Sequence, residues 1–327
     1  MAKLQGQKKK ALLIMKYLLE NTDEDHPVSM KDILSMLENN DVKAERKSIY
    51  DDFEMLRLIG VDIEYRKESP AGYFVASRLF ETAELKILVD NIQSSRFISE
   101  RKSNILIGKI ESLTSKHIAK TIQSQVYVSD RVKSMNESIF YNVDLINNAI
   151  YQKKQISFNY YAWNLKKELV SKKNEKYIVS PVFLNCDGQN YYLVACDSKE
   201  LNIKYYRVDK MKNITISEED VKGLEKINNE SYAKYSNRLF GMFSGDDIPV
   251  KLKVDNSLIG VMIDRFGAGI PVMGQDDKTF ETRINVTVSG QFFGWVAGFG
   301  NKVKIISPDS VKNQYINHIK EIHDIYK

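Results

Sequence analysis

No run of 18 apolar residues occurs in the 327-residue chain, so nothing in it reads as a membrane-spanning helix. The opening MAKLQGQKKK lacks an apolar signal core, and a soluble, cytoplasmic protein is expected. Cysteine is scarce. Cys186 and Cys196 lie in neighbouring expected strands with no CxxC or His-rich spacing beside them, so buried free thiols are expected over a metal or disulfide role. His26, His117, His318 and His323 are scattered, and local spacing assembles no metal set from them. Catalytic signatures are missing too. There is no GxSxG, no HExxH and no Cys/His pair at usable spacing. Asp51 and Asp52, adjacent on a helix, diverge by about 100° and form no acid/base pair. GAGIPVMG lacks the phosphate-loop pattern of GxxxxGK followed by Ser or Thr. A non-enzymatic protein without metal or cofactor is therefore expected.

What the chain does have is enough apolar content, 43%, for two or three cores. Its net charge of +5 is a weak signal for nucleic acid, and residues 1–80 carry 13 Lys/Arg against 14 Asp/Glu. A DNA-binding segment there must work through local clusters: Lys8 to Lys10 with Lys16, and Lys43 with Arg46 and Lys47. Residues 151–176 differ, with seven Lys against Glu168 and Glu175 interleaved with Tyr160, Tyr161 and Trp163. Two readings stay open there: a solvated loop, or a surface where rings stack on bases and lysines neutralise phosphates.

The N-terminal third reads as three helices and a hairpin. Leu12, Leu13, Met15, Tyr17 and Leu19 fall at helical spacings over 8–21. Ser29 is an expected N-cap with Asp32 three residues on, before a stripe of Met30, Ile33, Leu34 and Leu37. A third helix over 44–59 carries Ile49, Phe53 and Leu56 on one face and is ended by Gly60. Lys47, Ser48, Asp51 and Glu54 point opposite that stripe, with Arg46 and Tyr50 flanking it. Strands over 61–66 and 72–76 complete the order of a winged helix-turn-helix. In that motif the third helix enters the major groove, and its dipole attracts phosphate at the N-terminus. Arg46, Lys47, Ser48 and Tyr50 are the candidate duplex contacts, with Arg66 and Lys67 on the wing. A winged helix that binds protein is the alternative.

Two helical stretches follow, marked by Leu85, Leu88, Val89 and Ile92, then by Ile105, Leu106, Ile110 and Leu113. Transmission, dimerisation and plain core packing all account for them. A helix over 145–152 leads to the strand ISFNYYAW, which places Ile156, Phe158 and Tyr160 on one face. Val179, Val182 and Leu184 then run to a turn at Asp187 and Gly188. Strands over 191–196 and 203–208 follow. Arg207 alternates with Tyr206 and Val208, so it points away from the face they bury, beside Tyr205.

These strands resemble the WYL-domain transcriptional regulators of bacteria. YYLVA stands where that family has Trp-Tyr-Leu, with Tyr191 replacing the Trp and with Tyr192 and Leu193 matching. SPVFL resembles its Pro-containing strand. YYRVDKM resembles its Arg-x-Asp-Arg run, keeping Arg207 and Asp209, with Lys210 for the second Arg. The segment from Val28 to Val75 is similar to the domain that precedes WYL modules. GWVAGFG around Trp295 and the strand-Ser-Pro-helix ending, with Ser307 as cap and Pro308 in the first turn, are similar to the family's C-terminal extension.

The resemblance implies an Sm-like small β-barrel with a sensor pocket at Tyr160, Tyr192 and Arg207, with Lys210 close by. Arg207 could grip a phosphate while rings stack on a base. Core packing of Tyr192 and pairing of Arg207 with Asp209 are the alternatives. The expected fold is α+β multidomain: a winged helix-turn-helix at 1–78, a helical connector at 79–139, the WYL domain at 140–220, a linker at 221–245 and a C-terminal α/β domain at 246–327. The expected protein is a ligand-responsive, homodimeric regulator of transcription that binds double-stranded DNA. Its effector would be a nucleotide or single-stranded nucleic acid, with ligand contacts at Tyr160, Tyr192, Tyr205, Arg207 and Lys210. The rival is a non-catalytic accessory factor that binds single strands.

Overall fold

The computed structural model describes residues 2–124, 133, 137–186, 190–224 and 247–327. The expected Asp187–Gly188 turn and an apolar run at Leu239 to Phe243, read as a linker helix, lie outside the described residues. The chain divides into two compact units, 1–137 and 138–327.

In the first unit, helices α1 (Ala2–Asn21), α2 (Met30–Glu38) and α3 (Arg46–Leu58) precede a hairpin of β1 (Ile63–Arg66) and β2 (Gly72–Val75). Ile14 and Leu18 of α1, Ile33 and Leu37 of α2, and Ile49, Phe53 and Leu56 of α3 close one core, with Ile63 and Val75 from the hairpin. The capping box forms as the sequence predicts. The Ser29 hydroxyl accepts from the Asp32 amide, and the Asp32 carboxylate accepts from the Ser29 amide. Gly60 follows α3 at φ +94°, where a side chain would be strained. Gly72 is needed for a different reason: Val28 and Tyr73 exchange backbone hydrogen bonds, and a Cβ at Gly72 would lie 2.5 Å from the Val28 carbonyl oxygen.

Helices α4 (Thr82–Ser94), α5 (Glu100–Glu111) and α6 (Lys116–Ser124) form a second core around Leu85, Val89, Ile107 and Ile122. The second helical stretch read from the sequence, marked by Ile105 to Leu113, corresponds to α5 and is followed by a separate helix, α6. Ser112 and Ser115 lie between them, the latter accepting from the Ile118 amide to start α6. Of the residues for which core packing was one reading, Leu88, Ile105 and Leu113 are exposed, while Leu85 and Val89 are buried. His26 belongs to a polar network in this unit. Its Nδ1 lies 2.6 Å from the Asp23 carboxylate, which also accepts from the Ser115 hydroxyl, and its ring stacks on His117 at 3.8 Å.

In the second unit, α7 (Ile139–Gln152) leads into an antiparallel, curled sheet of β3 (Lys154–Trp163), β4 (Leu169–Ser171), β5 (Tyr177–Cys186), β6 (Tyr191–Asp197), β7 (Ile203–Arg207) and β8 (Met211–Asp220). Hydrogen bonding runs β4-β3-β5-β6-β7, and β8 pairs β3 as well. Strands β4 and β8 were not expected. Three-residue β4 turns the lysine-rich stretch, open to reading as a loop, into a hairpin with the end of β3. Helix α7 also starts earlier than position 145. Both cysteines are free thiols, but Cys186 is exposed at the end of β5, a correction to the expectation of two buried thiols.

The remainder is a three-stranded antiparallel sheet, order β10-β9-β11, of β9 (Asp247–Asp255), β10 (Thr279–Thr287) and β11 (Val303–Ser307). Helices α8 (Ile259–Phe266), α9 (Gly290–Ala297) and α10 (Asp309–Ile325) accompany it, around Leu252, Val254, Phe280, Ile284, Phe292 and Val296. Ser307 closes β11 and does not cap α10; Pro308, extended at ψ 160°, holds the N-cap place.

Candidate functional site

Along β3, alternation turns Ile156, Phe158 and Tyr160 to one face, and Phe158 is fully buried. Register then sets Tyr177 of β5 directly opposite Phe158, and Tyr206 of β7 opposite Leu193 of β6. The four rings meet. Phe158 and Tyr177 stack at 5.6 Å, and Tyr206 lies edge-on to Phe158, Tyr160 and Tyr177 at 5.1, 5.5 and 5.7 Å. The rings fill one another's faces, so the cluster is a wall and not a slot. Burial raises the Tyr160, Tyr177 and Tyr206 phenols above the ordinary tyrosine value, so all three are neutral donors at neutral pH. The Tyr206 hydroxyl is buried with no hydrogen-bond partner among the described residues.

Cations rim this wall. The Tyr160 hydroxyl accepts from the Arg207 backbone amide at 3.2 Å. The Arg207 guanidinium forks onto Asp209 at 3.0 and 2.8 Å, and the pair is partly buried. Burial alone would weaken the hold of Arg207 on its proton, but the Asp209 carboxylate outweighs it and the net shift is upward. Lys210 makes no hydrogen bond among the described residues. Burial, then the charge of Arg207, holds its ammonium below the ordinary lysine range. The Lys172 and Lys173 ammonium groups lie over the Tyr160 and Tyr177 rings at 5.7 and 5.0 Å. Lys210 lies within electrostatic reach of Arg207, Asp209 and Lys172, a largely cationic setting that favours an anion. Residues 208–210 form a 3-10 turn, held by buried Asn142 of α7, whose amide donates to the Met211 carbonyl at 2.9 Å.

Of the residues read from sequence, Tyr160, Arg207 and Lys210 converge here, and Tyr192 faces Arg207 across the β6–β7 register. Tyr205 lies two positions before Arg207 on the same strand, opposite Val194. The Arg207–Asp209 pair, one of the alternatives, does form, and it leaves Lys210 as the less committed cation. Sequence reasoning missed Tyr177, Tyr206, Lys172, Lys173 and Asn142. Only the alternation of β3 gave a local signal, and it placed Phe158 and Tyr160.

In the first unit, Arg46, Lys47 and Tyr50 are exposed along the first turns of α3. Ser48 is half-buried, with its hydroxyl donating to the Glu45 carbonyl at 2.9 Å. Tyr73 of β2 donates its hydroxyl to that of Tyr50 at 3.1 Å; burial and this bond push the Tyr73 phenol up to about 12. Arg66 donates to the Glu24 carbonyl at 2.8 Å, and Lys67 is exposed at the hairpin end. The cluster expected at Lys8 to Lys10 does not present Lys10 to solvent. Its ammonium, 7% exposed as a residue, donates to the Ser48 carbonyl at 3.2 Å. It also lies 2.8 Å from Asp52 Oδ2, without the alignment of a hydrogen bond, so that contact is ionic.

Residues 141–216 match the family model of the WYL domain, and residues 246–322 match that of the WCX domain. No curated protein matches the chain. Among solved structures, similarity is found to proteasome accessory factor B/C (PafBC) of Arthrobacter aurescens at 16% identity, over 96% of this chain and 48% of that one, with a TM-score of 0.29. A second is a CRISPR Cas-related protein at 14% identity, over 99% of this chain and 85% of that one, with a TM-score of 0.38. This chain thus spans about half the length of the PafBC chain. By these matches, the chain carries a WYL domain followed by a WCX domain.

Proposed function

We propose that this protein is a cytoplasmic, homodimeric transcriptional regulator in which residues 1–78 act as a winged helix on duplex DNA. The WYL domain, read as an Sm-like barrel, answers to a phosphate-bearing nucleotide or nucleic-acid effector. The observation that carries the reading is the exposure of Arg46, Lys47 and Tyr50 at the start of α3, in a chain that also contains a WYL domain. Cations at a helix N-terminus act with the backbone dipole on phosphate, and Tyr50 and Lys47 are long enough to reach base edges. Lys67 on the hairpin supplies a flanking backbone contact, with Arg66 beside it.

In the WYL domain, Lys210 and Lys172 take the anionic group, and Arg207 joins them by sharing its fork between Asp209 and the ligand. Tyr160 meets a base by its edge, with Tyr192 and Tyr205 on the neighbouring strands. A ligand held there changes the strand-to-turn segment 207–211 that Asn142 clamps, and regulation requires that it favour one arrangement of the DNA-binding heads. No catalytic step is proposed. The experiment is selection of bound duplexes from fragmented genomic DNA with single-stranded DNA as competitor. Enrichment of one two-fold-related sequence is expected; capture of single strands alone would overturn the regulator reading.

A further inference from the structure

The alternation of β3 divides the aromatic and basic residues of segment 151–176 between two faces. Tyr160 and Lys172 belong to the face described above. Asn159, Tyr161 and Trp163 lie on the other, with register partners Lys212, Ser171 and Leu169. This second face is built for contact. Trp163 is 54% exposed, and the Lys212 ammonium sits 4.8 Å over the Tyr161 ring. The Asn213 side chain donates to Asn159 Oδ1 at 3.3 Å, holding two amides beside the rings. Lys166 and Lys167 are exposed at the hairpin tip. The acids nearby are engaged: Glu168 accepts from the Asn164 side chain at 2.9 Å, and Glu175 pairs with Lys199.

We propose that this outer face of β3, formed by Tyr161 and Trp163 with Lys212 and the hairpin lysines, binds single-stranded nucleic acid. Two rings two residues apart on one strand stand about 6.6 Å apart along it, a ladder on which successive unpaired bases stack. Every base has a π-face, so the ladder tolerates any sequence, while the lysines follow the phosphates. An acidic peptide would satisfy the lysines and leave both rings unused. A duplex hides its base faces. The surface uses none of Arg207, Lys210 and Lys172, so it stands whether or not that rim takes a ligand.

The test uses the full chain and fluorescein-labelled oligodeoxythymidylate, read by anisotropy and by tryptophan quenching over a salt series. Binding with quenching is expected. The double variant Tyr161→Leu/Trp163→Leu, checked for fold by circular dichroism, should bind about tenfold or more weakly. A second variant, Lys167→Ala/Lys212→Ala, should lower the slope of log affinity against log salt by about 1.4. Poly-glutamate and an unlabelled duplex of equal length should displace the oligonucleotide poorly. No binding by the wild type would overturn the proposal, as would unchanged binding by the ring variant or an unchanged salt slope in the lysine variant. Equal displacement by poly-glutamate would overturn it in favour of an acidic protein partner, and equal displacement by duplex would remove the single-strand assignment.

Discussion

Replacing Tyr206 by Phe should stabilise the protein, although it removes a polar group from the middle of the candidate site. The Tyr206 ring is almost wholly buried, 4% exposed, and touches Phe158, Tyr160 and Tyr177, contacts that Phe keeps. Its hydroxyl is sealed from solvent without a partner among the described residues. Leaving a buried hydroxyl unpaired costs about 1–3 kcal/mol of desolvation. Its removal should recover the lower end of that range, roughly 1 kcal/mol, because the site relaxes only in part. In a cooperative unit of this size, such a gain raises Tm by about 2–4 °C. Differential scanning calorimetry of the two proteins at neutral pH measures it. A fall in Tm of a degree or more would show that the hydroxyl is hydrogen-bonded in the native protein, and would refute the reasoning.

Lys10→Met should destabilise the first unit by about 3 kcal/mol, because it strands the part-buried Asp52 carboxylate, and Asp52→Leu in the same chain should restore most of the loss in urea unfolding. Asp23 is held below the ordinary carboxylate range: burial works against this, but hydrogen bonds from Ser115 and His26 and the histidine charges outweigh it. Its contribution is therefore present above the unfolded value of about 3.9 and lost as pH falls through its lower folded value, so Asp23→Asn should flatten the acid loss of stability in urea midpoints between about pH 2 and 5. Arg46→Ala with Lys47→Ala should weaken duplex binding without unfolding the chain, and lower its salt slope by about 1.8 if both residues meet phosphate; unchanged affinity would remove α3 as the recognition helix. Arg207→Lys keeps the charge but loses the fork, and should abolish the thermal stabilisation that a panel of nucleoside mono- and diphosphates gives the wild type. Absence of stabilisation in the wild type itself would dismiss the phosphate site.

Local pattern was enough for much of the fold. The stripe Met30, Ile33, Leu37, the Ser29–Asp32 box and the Gly60 stop are all decided by residues within one or two helical turns. So is the inward turn of Phe158 and Tyr160 on β3, and they stand in the structure where periodicity put them. Tertiary structure decided the rest. Nothing local distinguishes Lys10 from Lys9; packing against α3 buries the first on Asp52, while the second reaches only the Asn40 carbonyl. Tyr177 enters the aromatic wall because β5 pairs with β3 in one register, and a slip of one residue would turn it outward. The pairing of β4 with β3 sends Lys172 to Tyr160, and Lys212 reaches Tyr161 from a strand some fifty residues away in the chain. Sequence determines which residues can share a face, since periodicity is a property of neighbours. Which faces meet, and so which cations stand at which rings, is settled by pairings between distant strands that only the folded chain contains.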